Sequence, residues 1–453
     1  MNNENIVRLF NEISNSYKES FLKDYAAFIK NRNKMGNVYI KNKPFKVIQQ
    51  PNFFGVDELD EFVRFGKGVF DIVNKIYYLY NKNEEIKNLF NLDDSISGYI
   101  NTPQDYSVNF PIARLDIFYT SEKELMLCEI NADGAGGLHK DTILNSYFNT
   151  SKVCELLKKN YKLQTFDAIS GLVKNCLDIY SNFNIKYGFP KNPNIGILNF
   201  QETNNVEESM TIKKYFEMAG ARAFVIAQDD LSYDNDGAVL YNGTQLHMIF
   251  KEAINERLIN EYNDFNKFIH SMSHNKICVI GNIKSELFDS KILFSILHSE
   301  KLSKYLTDDE LSFIRKYIPY TISAGSESER LYEEIIAKRH DYVLKCVDSY
   351  QSRGVYVGKA FSDKDWIKLI STNWNNKHII QKYVETAINT YTLSDNNDIV
   401  SREFKTIVGL FYYNEQFSGL FSRAGSDFFI TGANNTDYHL GNVFYSDPDR
   451  REF

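Results

Sequence analysis

Four polar side chains are spaced in a way that could bind a metal ion and a phosphate group. Arg114 and Asp116 alternate with apolar residues in one short stretch, and Glu129 and Asn131 alternate with apolar residues in the next. This period-two alternation is typical of half-buried strands. Carboxylate and amide oxygens suit a hard cation such as Mg²⁺, which takes further ligands from water and substrate phosphates. An arginine beside that ion would be placed to bind a phosphoryl oxygen or a substrate carboxylate.

The two stretches, 112–119 and 125–132, predict the strands of a hairpin around the loop 121–124. If Thr120 pairs with Leu125, the aspartate lies opposite the glutamate and the arginine lies opposite the asparagine. Two carboxylates facing each other across a strand pair repel, so this arrangement calls for a cation between them. The alternative is an ordinary hairpin with a solvated polar face, because alternating charge is common on exposed strands. The opposite, apolar face of the predicted hairpin consists of Ala113, Leu115, Ile117, Met126, Cys128 and Ile130.

A second polar stretch, 341–358, predicts two strands joined by a polar loop. Lys345 stands near the end of the first strand, and Ser352, Arg353 and Gly354 lie in the loop. A lysine and a loop with hydroxyl and guanidinium donors can hold a triphosphate. The alternative is a surface hairpin without a ligand.

The composition limits the classes of function that the chain can have. At 453 residues with 43% hydrophobic and 15% aromatic residues, the chain can bury a large core in two or three merged domains. The net charge of −7 and the absence of a Lys/Arg run argue against a nucleic-acid partner. No apolar stretch is long enough for a signal peptide or a membrane span, so we expect a cytoplasmic protein without a membrane partner. The five cysteines are scattered without metal or redox spacing, which favours reduced structural thiols.

The pattern of elements predicts an α+β protein. Residues 4–34 and 58–80 have helical spacing, and 194–227 read as a strand, a helix and a strand of the length expected for a parallel crossover. Residues 285–299 predict a helix that carries Lys291, which without further information would be a solvent-facing charge. We divide the chain into an N-terminal helical extension (1–42), a segment with the polar hairpin and its helices (43–190), an α/β lobe (191–285) and a C-terminal lobe (286–453).

The order and spacing of these motifs resemble the circularly permuted ATP-grasp ligases, the group that includes the glutathionylspermidine synthetase type. The resemblance is carried by Arg-x-Asp at 114–116 followed by Glu-x-Asn-Ala-Asp at 129–133, and it covers roughly 40–430. It implies that Asp116, Glu129 and Asn131 hold the Mg²⁺ ions of ATP, and that Arg114 contacts the substrate or the transferring phosphate. The metal strands precede the lysine strand in this chain, which is the permuted order.

The resemblance also implies how ATP is bound. ATP would lie between two antiparallel sheets, with the inserted α/β lobe binding the substrate. Lys291 and Lys345 would reach the ATP phosphates, and the loop with Ser352, Arg353 and Gly354 would close over the γ-phosphate. The main chain of 381–384 would bind the adenine edge, which makes Gln381, Tyr383 and Val384 the expected contacts.

The expected activity is an ATP- and Mg²⁺-dependent ligation of a carboxylate to an amine through an acyl-phosphate. We expect small-molecule substrates such as a small peptide, an amino acid or a natural-product precursor. A homodimer is compatible with these expectations. The alternatives are a non-catalytic nucleotide or peptide binder on the same scaffold and a kinase that releases the acyl-phosphate. The sequence leaves open whether the substrate contacts Arg423, Lys251, His139 or Lys140.

Overall fold

A computed structural model of the protein describes residues 3–32, 39–40, 43–201, 206–325, 329–347, 354–427, 430 and 437–448. Ser352 and Arg353 therefore lie outside the described residues. The strands are β1 (Tyr39–Ile40), β2 (Lys43–Pro44), β3 (Lys46–Gly55), β4 (Ile112–Tyr119), β5 (Leu125–Asn131), β6 (Lys162–Gln164), β7 (Asn194–Asn199), β8 (Arg222–Ala227), β9 (Leu231–Tyr233), β10 (Val239–Tyr241), β11 (Thr244–Gln245), β12 (Met248–Lys251), β13 (Cys278–Ile280), β14 (Thr321–Ser323), β15 (Tyr342–Cys346), β16 (Val355–Val357), β17 (His378–Lys382), β18 (Ile388–Asp395), β19 (Asp398–Tyr413), β20 (Gln416–Gly425) and β21 (Tyr438–Ser446).

The α-helices cover the sheets and connect them. They are α1 (Glu4–Ser16), α2 (Lys18–Arg32), α3 (Val56–Lys82), α4 (Glu84–Leu89), α5 (Asp94–Ser97), α6 (Leu138–Thr150), α7 (Lys152–Leu157), α8 (Ala168–Tyr187), α9 (Val206–Met218), α10 (Asn255–Glu261), α11 (Phe265–Ser273), α12 (Glu286–Asp289), α13 (Ile292–Leu297), α14 (Glu300–Ser303), α15 (Asp308–Tyr317), α16 (Glu329–Ala337) and α17 (Asp363–Thr372). Within this part of the chain, no helix has the combination of length and apolar sequence that a membrane crossing requires. None of the five cysteines, all of which are described, forms a disulfide bond.

The largest sheet joins strands from both ends of the chain. Its order is β3-β21-β20-β19-β4-β5, with β18 paired to β19 and β6 paired to β21. All of its pairs are antiparallel except β21 with β3. The segments 43–190 and 286–453 therefore contribute to one sheet.

Two smaller sheets complete the frame around the site. The first is fully antiparallel in the order β14-β17-β15-β16 and lies in the C-terminal lobe. The second is parallel in the order β13-β12-β7-β8, which confirms the predicted parallel crossover in 194–227. The mixture of antiparallel sheets with one parallel unit confirms the α+β class at this level.

The polar hairpin β4–β5 has the predicted register at the end that carries the four polar side chains. Asp116 lies opposite Glu129, and Arg114 lies opposite Asn131. At the loop end, however, Leu125 pairs with Tyr119 instead of Thr120. A β-bulge between 116 and 117 absorbs this one-residue difference, so the predicted pairing of the four polar residues is right although the assumed loop geometry is wrong.

The bulge also changes which residues of β5 face the core. Leu125 and Leu127 are buried, whereas Met126 and Cys128 are only half-buried. The predicted apolar face is therefore wrong at Met126 and Cys128, because an extra residue in a strand reverses the alternation beyond it.

Two predicted helices are interrupted. The helix expected over 4–34 is the pair α1 and α2, and the helix expected over 285–299 breaks between α12 and α13. Lys291 stands at that break, immediately before α13. It is therefore not part of a continuous solvent-facing helix.

Helix α3 packs against the central strand β19 through a glycine. A Cβ atom at Gly66 would lie 2.0 Å from a ring carbon of Tyr412. Tyr412 is buried, and its hydroxyl donates to the carbonyl oxygen of Phe62 at 2.5 Å. The ring is fixed on both sides, so Gly66 is the residue that permits this close approach.

We expect Gly66→Ala to lower the free energy of unfolding by about 1–3 kcal/mol, because the added methyl overpacks the contact with Tyr412. Urea unfolding followed by circular dichroism measures the change. Gly98→Ala is the matched control, since its Cβ would meet only Asp94 O at 3.6 Å. Equal stability of the two variants would contradict this account of the helix contact.

Candidate active site

A cleft of about 900 Å³, including its open mouth, lies between the largest sheet and the small antiparallel sheet. Strands β4, β5, β19 and β20 supply one wall, and β15, β16 and β17 supply the other. The lining residues are Asp116, Phe118, Cys128, Glu129, Lys291, Pro319, Val343, Lys345, Val355, Val357, Gln381, Lys382, Tyr383, Val384, Thr386, Lys405, Ile407, Arg423, Asp427 and Ile430.

The cleft brings together most of the residues that the sequence singles out. They come from distant parts of the chain and include Asp116, Glu129, Lys291, Lys345, Gln381, Tyr383, Val384 and Arg423. Arg114 and Asn131 lie beside the cleft on the same strands, but they are not among its lining residues. Gly354 is the first described residue after Ser352 and Arg353, and its carbonyl oxygen accepts from Cys346 N at 2.9 Å. It too is not a lining residue.

One part of the cleft is apolar. Its side chains are Phe118, Pro319, Val343, Val355, Val357, Ile407 and Ile430. Such a surface suits a flat, weakly polar group such as a purine base.

The charged groups of the cleft are mostly cationic. Positive charge comes from Lys291, Lys345, Lys382, Lys405 and Arg423, and negative charge comes from Asp116, Glu129 and Asp427. A cleft lined mainly by one sign of charge attracts ligands of the opposite sign. This lining therefore favours a polyanion such as a nucleotide polyphosphate.

Lys345 is held in the cleft by a hydrogen-bond network on the small sheet. Its Nζ donates to Gln381 Oε1 at 2.7 Å and lies 3.5 Å from the Cys128 carbonyl oxygen. Gln381 Nε2 in turn donates to Thr321 Oγ1 at 2.9 Å. The Cys128 contact spans the cleft, so this lysine links the two walls.

The predicted adenine contacts need to be refined. Gln381 lies in β17, the strand between β14 and β15, and it reaches the cleft with its side chain. The main-chain N–H of Tyr383 donates to Asp341 O at 2.7 Å. A base would therefore have to bind other main-chain atoms, such as those of Val384.

Asp116 is surrounded by two arginines. Its Oδ1 accepts from Arg114 Nε at 2.6 Å, and its Oδ2 accepts from Arg114 Nη2 at 3.1 Å and from Arg423 Nη2 at 2.5 Å. The residue is only 1% exposed. Burial opposes its ionisation, but Arg114 and Arg423 outweigh that effect and hold the pKa of Asp116 well below its usual range. It is therefore a carboxylate at neutral pH.

Arg114 also connects the strand to the loop that follows β5. Its Nη1 donates to Gly136 O at 2.5 Å, and Gly137 N donates to both carboxylate oxygens of Glu208 at 3.0–3.1 Å. The loop between β5 and α6 is thus held between β4 and α9.

Glu129 and Asn131 fit one side of a magnesium ion. Glu129 is half-buried and accepts no hydrogen bond from the residues that the structure describes. Asn131 Nδ2 lies 3.4 Å from Arg114 O, which leaves its carbonyl oxygen as a possible ligand atom. Within the described ranges, no group of three or more His, Cys, Asp or Glu side chains could hold a metal by itself. An ion here would need water and phosphate oxygens, as is usual for Mg²⁺ with a nucleotide.

A buried ionic junction lies directly behind this site. Asp133, two residues after Asn131, forms an ion pair with Lys251, and both side chains are 1% exposed. The other oxygen of Asp133 accepts from Asn255 N at 2.6 Å. This junction fixes the end of the hairpin to the α/β lobe, and it shows that Lys251 is turned inward.

Asp289 extends the junction toward Lys291. Its Oδ1 accepts from the main-chain N–H groups of Ala132 and Asp133 at 2.8 and 3.2 Å. Burial, reinforced by the charge of Asp133, raises the pKa of Asp289 to about 7. No motif in the sequence marks Asp289. The only available signal was its position two residues before Lys291.

The two basic residues after the loop 132–137, His139 and Lys140, lie close to α9. His139 Nδ1 is 2.9 Å from Thr211 Oγ1, and its main-chain N donates to Glu208 at 3.0 Å. Burial lowers the pKa of Lys140 to about 8, with Glu208 acting in the opposite direction. Neither residue lines the cleft, and a substrate contact by either stays open.

The fold and the cleft together define an α+β protein in which a charged cleft lies between a largely antiparallel sheet and a small antiparallel sheet. No protein-family model matches the chain, and no curated protein matches it in sequence. The chain is similar in structure to a glutathione synthetase-like effector (GSS30) from Globodera pallida in its apo form. The TM-score is 0.56 at 10% identity, over 88% of this chain and 90% of that chain. At this identity, the similarity shows a shared fold.

Partial similarities reach two further proteins with lower scores. D-alanyl-alanine synthetase A from Vibrio cholerae gives a TM-score of 0.26 at 10% identity, over 48% of this chain and 68% of that chain. The ATP-grasp ligase PsnB, complexed with minimal precursor, Mg and ADP, gives 0.24 at 9% identity, over 55% of this chain and 87% of that chain. The circular permutation and the role of the α/β lobe stay predictions.

We expect Asp133→Asn to lower the free energy of unfolding by about 3–5 kcal/mol, because it leaves the buried Lys251 charge without its partner. The double variant Asp133→Asn/Lys251→Met should lose less than Asp133→Asn alone, because neither buried charge remains. Chemical denaturation measures both values.

The exposed pair Lys213–Glu217 provides the control, with N···O at 2.6 Å. Glu217→Gln should change stability by less than about 1 kcal/mol. A loss from Asp133→Asn as small as that from the control would contradict the proposed importance of the buried pair.

Proposed function

We propose that the protein is an ATP- and Mg²⁺-dependent ligase that joins the carboxylate of one small molecule to the amine of another. The observation that carries this proposal is the cleft between the largest sheet and the small antiparallel sheet, in which an apolar part adjoins a cluster of lysines and Glu129. The apolar part suits the base, the lysines suit the phosphates, and Glu129 with Asn131 suits the ion that accompanies them.

Each residue has a role that follows from its position. Lys345 and Lys291 bind phosphate oxygens of ATP, and Lys345 is pre-oriented by Gln381. Glu129 and Asn131 hold Mg²⁺, which when bound neutralises charge on the transferring phosphoryl group. Arg423 lines the same cleft and binds the oxygens that gain negative charge in the transition state.

The reaction has two chemical steps. An oxygen of the substrate carboxylate attacks the γ-phosphorus of ATP, the bond to the β-phosphate oxygen breaks, and ADP leaves. The amine nitrogen then attacks the acyl carbon, phosphate leaves with the bonding electron pair, and the nitrogen loses a proton. This chemistry depends on positioning and charge stabilisation and needs no covalent enzyme nucleophile.

The substrates are expected to bind where the α/β lobe meets the cleft. The loop 132–137 joins both regions, because Arg114 and Glu208 hold it from opposite sides. The phosphate-loop residues Ser352 and Arg353 keep their proposed role at the γ-phosphate, as residues outside the described ranges.

Incubation of the purified protein with ATP, Mg²⁺ and panels of acids and amines tests the proposal, with products identified by mass spectrometry. A condensed product with stoichiometric ADP and phosphate is expected. A phosphorylated acid would indicate the kinase alternative, and nucleotide binding without any product would indicate the non-catalytic alternative. Either result would overturn the ligase proposal.

We expect Lys345→Met to lower kcat/KM for ATP by a factor of about 100 or more, because a charged contact to the phosphates is lost. Steady-state kinetics with the identified substrates measure this change. Lys364→Met, at an exposed position on α17 of the same lobe, should leave kcat/KM within about twofold. Equal activity of both variants would contradict the proposed contact between Lys345 and the phosphates.

A further inference from the structure

Both oxygens of the Asp116 carboxylate accept hydrogen bonds from guanidinium groups. One oxygen accepts from Arg114, and the other accepts from both Arg114 and Arg423. The side chain is 1% exposed. A magnesium ion in direct contact with Asp116 would compete with two guanidinium groups for a carboxylate whose charge they already balance, and displacing either group would leave a buried positive charge without this partner.

The sheet is built to allow this three-residue contact. Asp116 lies on β4 and Arg423 lies on β20, and strand β19 runs between them. The residue of β19 opposite Asp116 is Gly409. A Cβ atom there would lie 2.9 Å from Asp116 Oδ1 and 2.6 Å from Arg114 Cδ. The missing side chain at Gly409 leaves the space through which the carboxylate reaches across a whole strand.

We propose that Asp116 is a positioning residue that orients Arg114 and Arg423, and that it is not a ligand of the magnesium ion. This inference rests on the proposed function. Its geometric basis is the arginine pair that Asp116 joins across Gly409.

On this proposal, neighbouring polar residues of the hairpin have different roles. Glu129 and Asn131 face the ion, whereas Asp116 faces the arginines. Through Asp116, Arg423 is held against the cleft and Arg114 against the carbonyl oxygen of Gly136. The pair is thus set in place before any ligand arrives, which is how preorganised charge acts in catalysis.

Direct metal binding distinguishes the two roles of Asp116. Mn²⁺ binding, followed by electron paramagnetic resonance in the presence of a non-hydrolysable ATP analogue, should be within threefold of wild type for Asp116→Asn. Glu129→Gln should weaken Mn²⁺ binding tenfold or more in the same assay. Comparable weakening by both variants would overturn the proposal. This readout does not depend on turnover, so it stays decisive if the protein proves to bind nucleotide without catalysis.

Kinetics test the positioning role itself. Asp116→Asn should lower kcat at least 30-fold while KM for ATP changes less than threefold. In the background of Arg423→Gln and Arg114→Gln, the same substitution should lower kcat by less than threefold, because the groups that it positions are gone. Independent, multiplying effects would overturn the proposal.

Gly409→Ala gives a test that changes no charge and serves if Asp116→Asn fails to fold. The methyl group should displace the carboxylate from Arg423, so kcat should fall at least tenfold while Mn²⁺ affinity stays within threefold. Unchanged turnover would overturn the proposal, and so would a tenfold loss of Mn²⁺ affinity. Circular dichroism confirms that each variant is folded.

Discussion

Charges buried between lobes must find partners inside the protein, and this constraint fixes the geometry of the candidate site. A buried ion left alone costs several kcal/mol, so each one is matched to a group on another segment. Asp116 meets Arg423 from a strand 307 residues further along the chain, and Asp133 meets Lys251 from the α/β lobe. Each pair holds together elements that the chain alone connects only distantly. The same pairs place the cleft beside the loop 132–137.

Much of this arrangement follows from local sequence patterns. The alternation around Arg114 and Glu129 predicts two strands, and the short loop between them predicts their pairing. The lysine at 345 is predicted on a strand because apolar and β-branched residues surround it. These predictions succeed because strand alternation and hairpin closure are determined by residues near one another in sequence.

The failures have a common physical origin in contacts between distant residues. The bulge that turns Cys128 toward the cleft leaves no trace in the alternation of the sequence. Strand β21 is likewise not marked by its local sequence, although it pairs on one side with β20 and β6 and on the other with β3. Asp289 also cannot be identified from its neighbours in sequence, since the groups that it binds are the main-chain N–H groups of 132 and 133. Gly409 looks like an ordinary strand glycine until the side chains on neighbouring strands are placed.

The position of β21 in the largest sheet has a consequence for how the protein is made. This strand separates β3 from β20, so the first long strand of the chain has its sheet partner near residues 438–446. During synthesis β3 must wait for almost four hundred further residues before that partner leaves the ribosome. Such distant pairings slow folding and leave a strand edge exposed in the meantime. The nascent chain therefore carries this unpaired edge for most of its synthesis, until the last strand of the sheet is made.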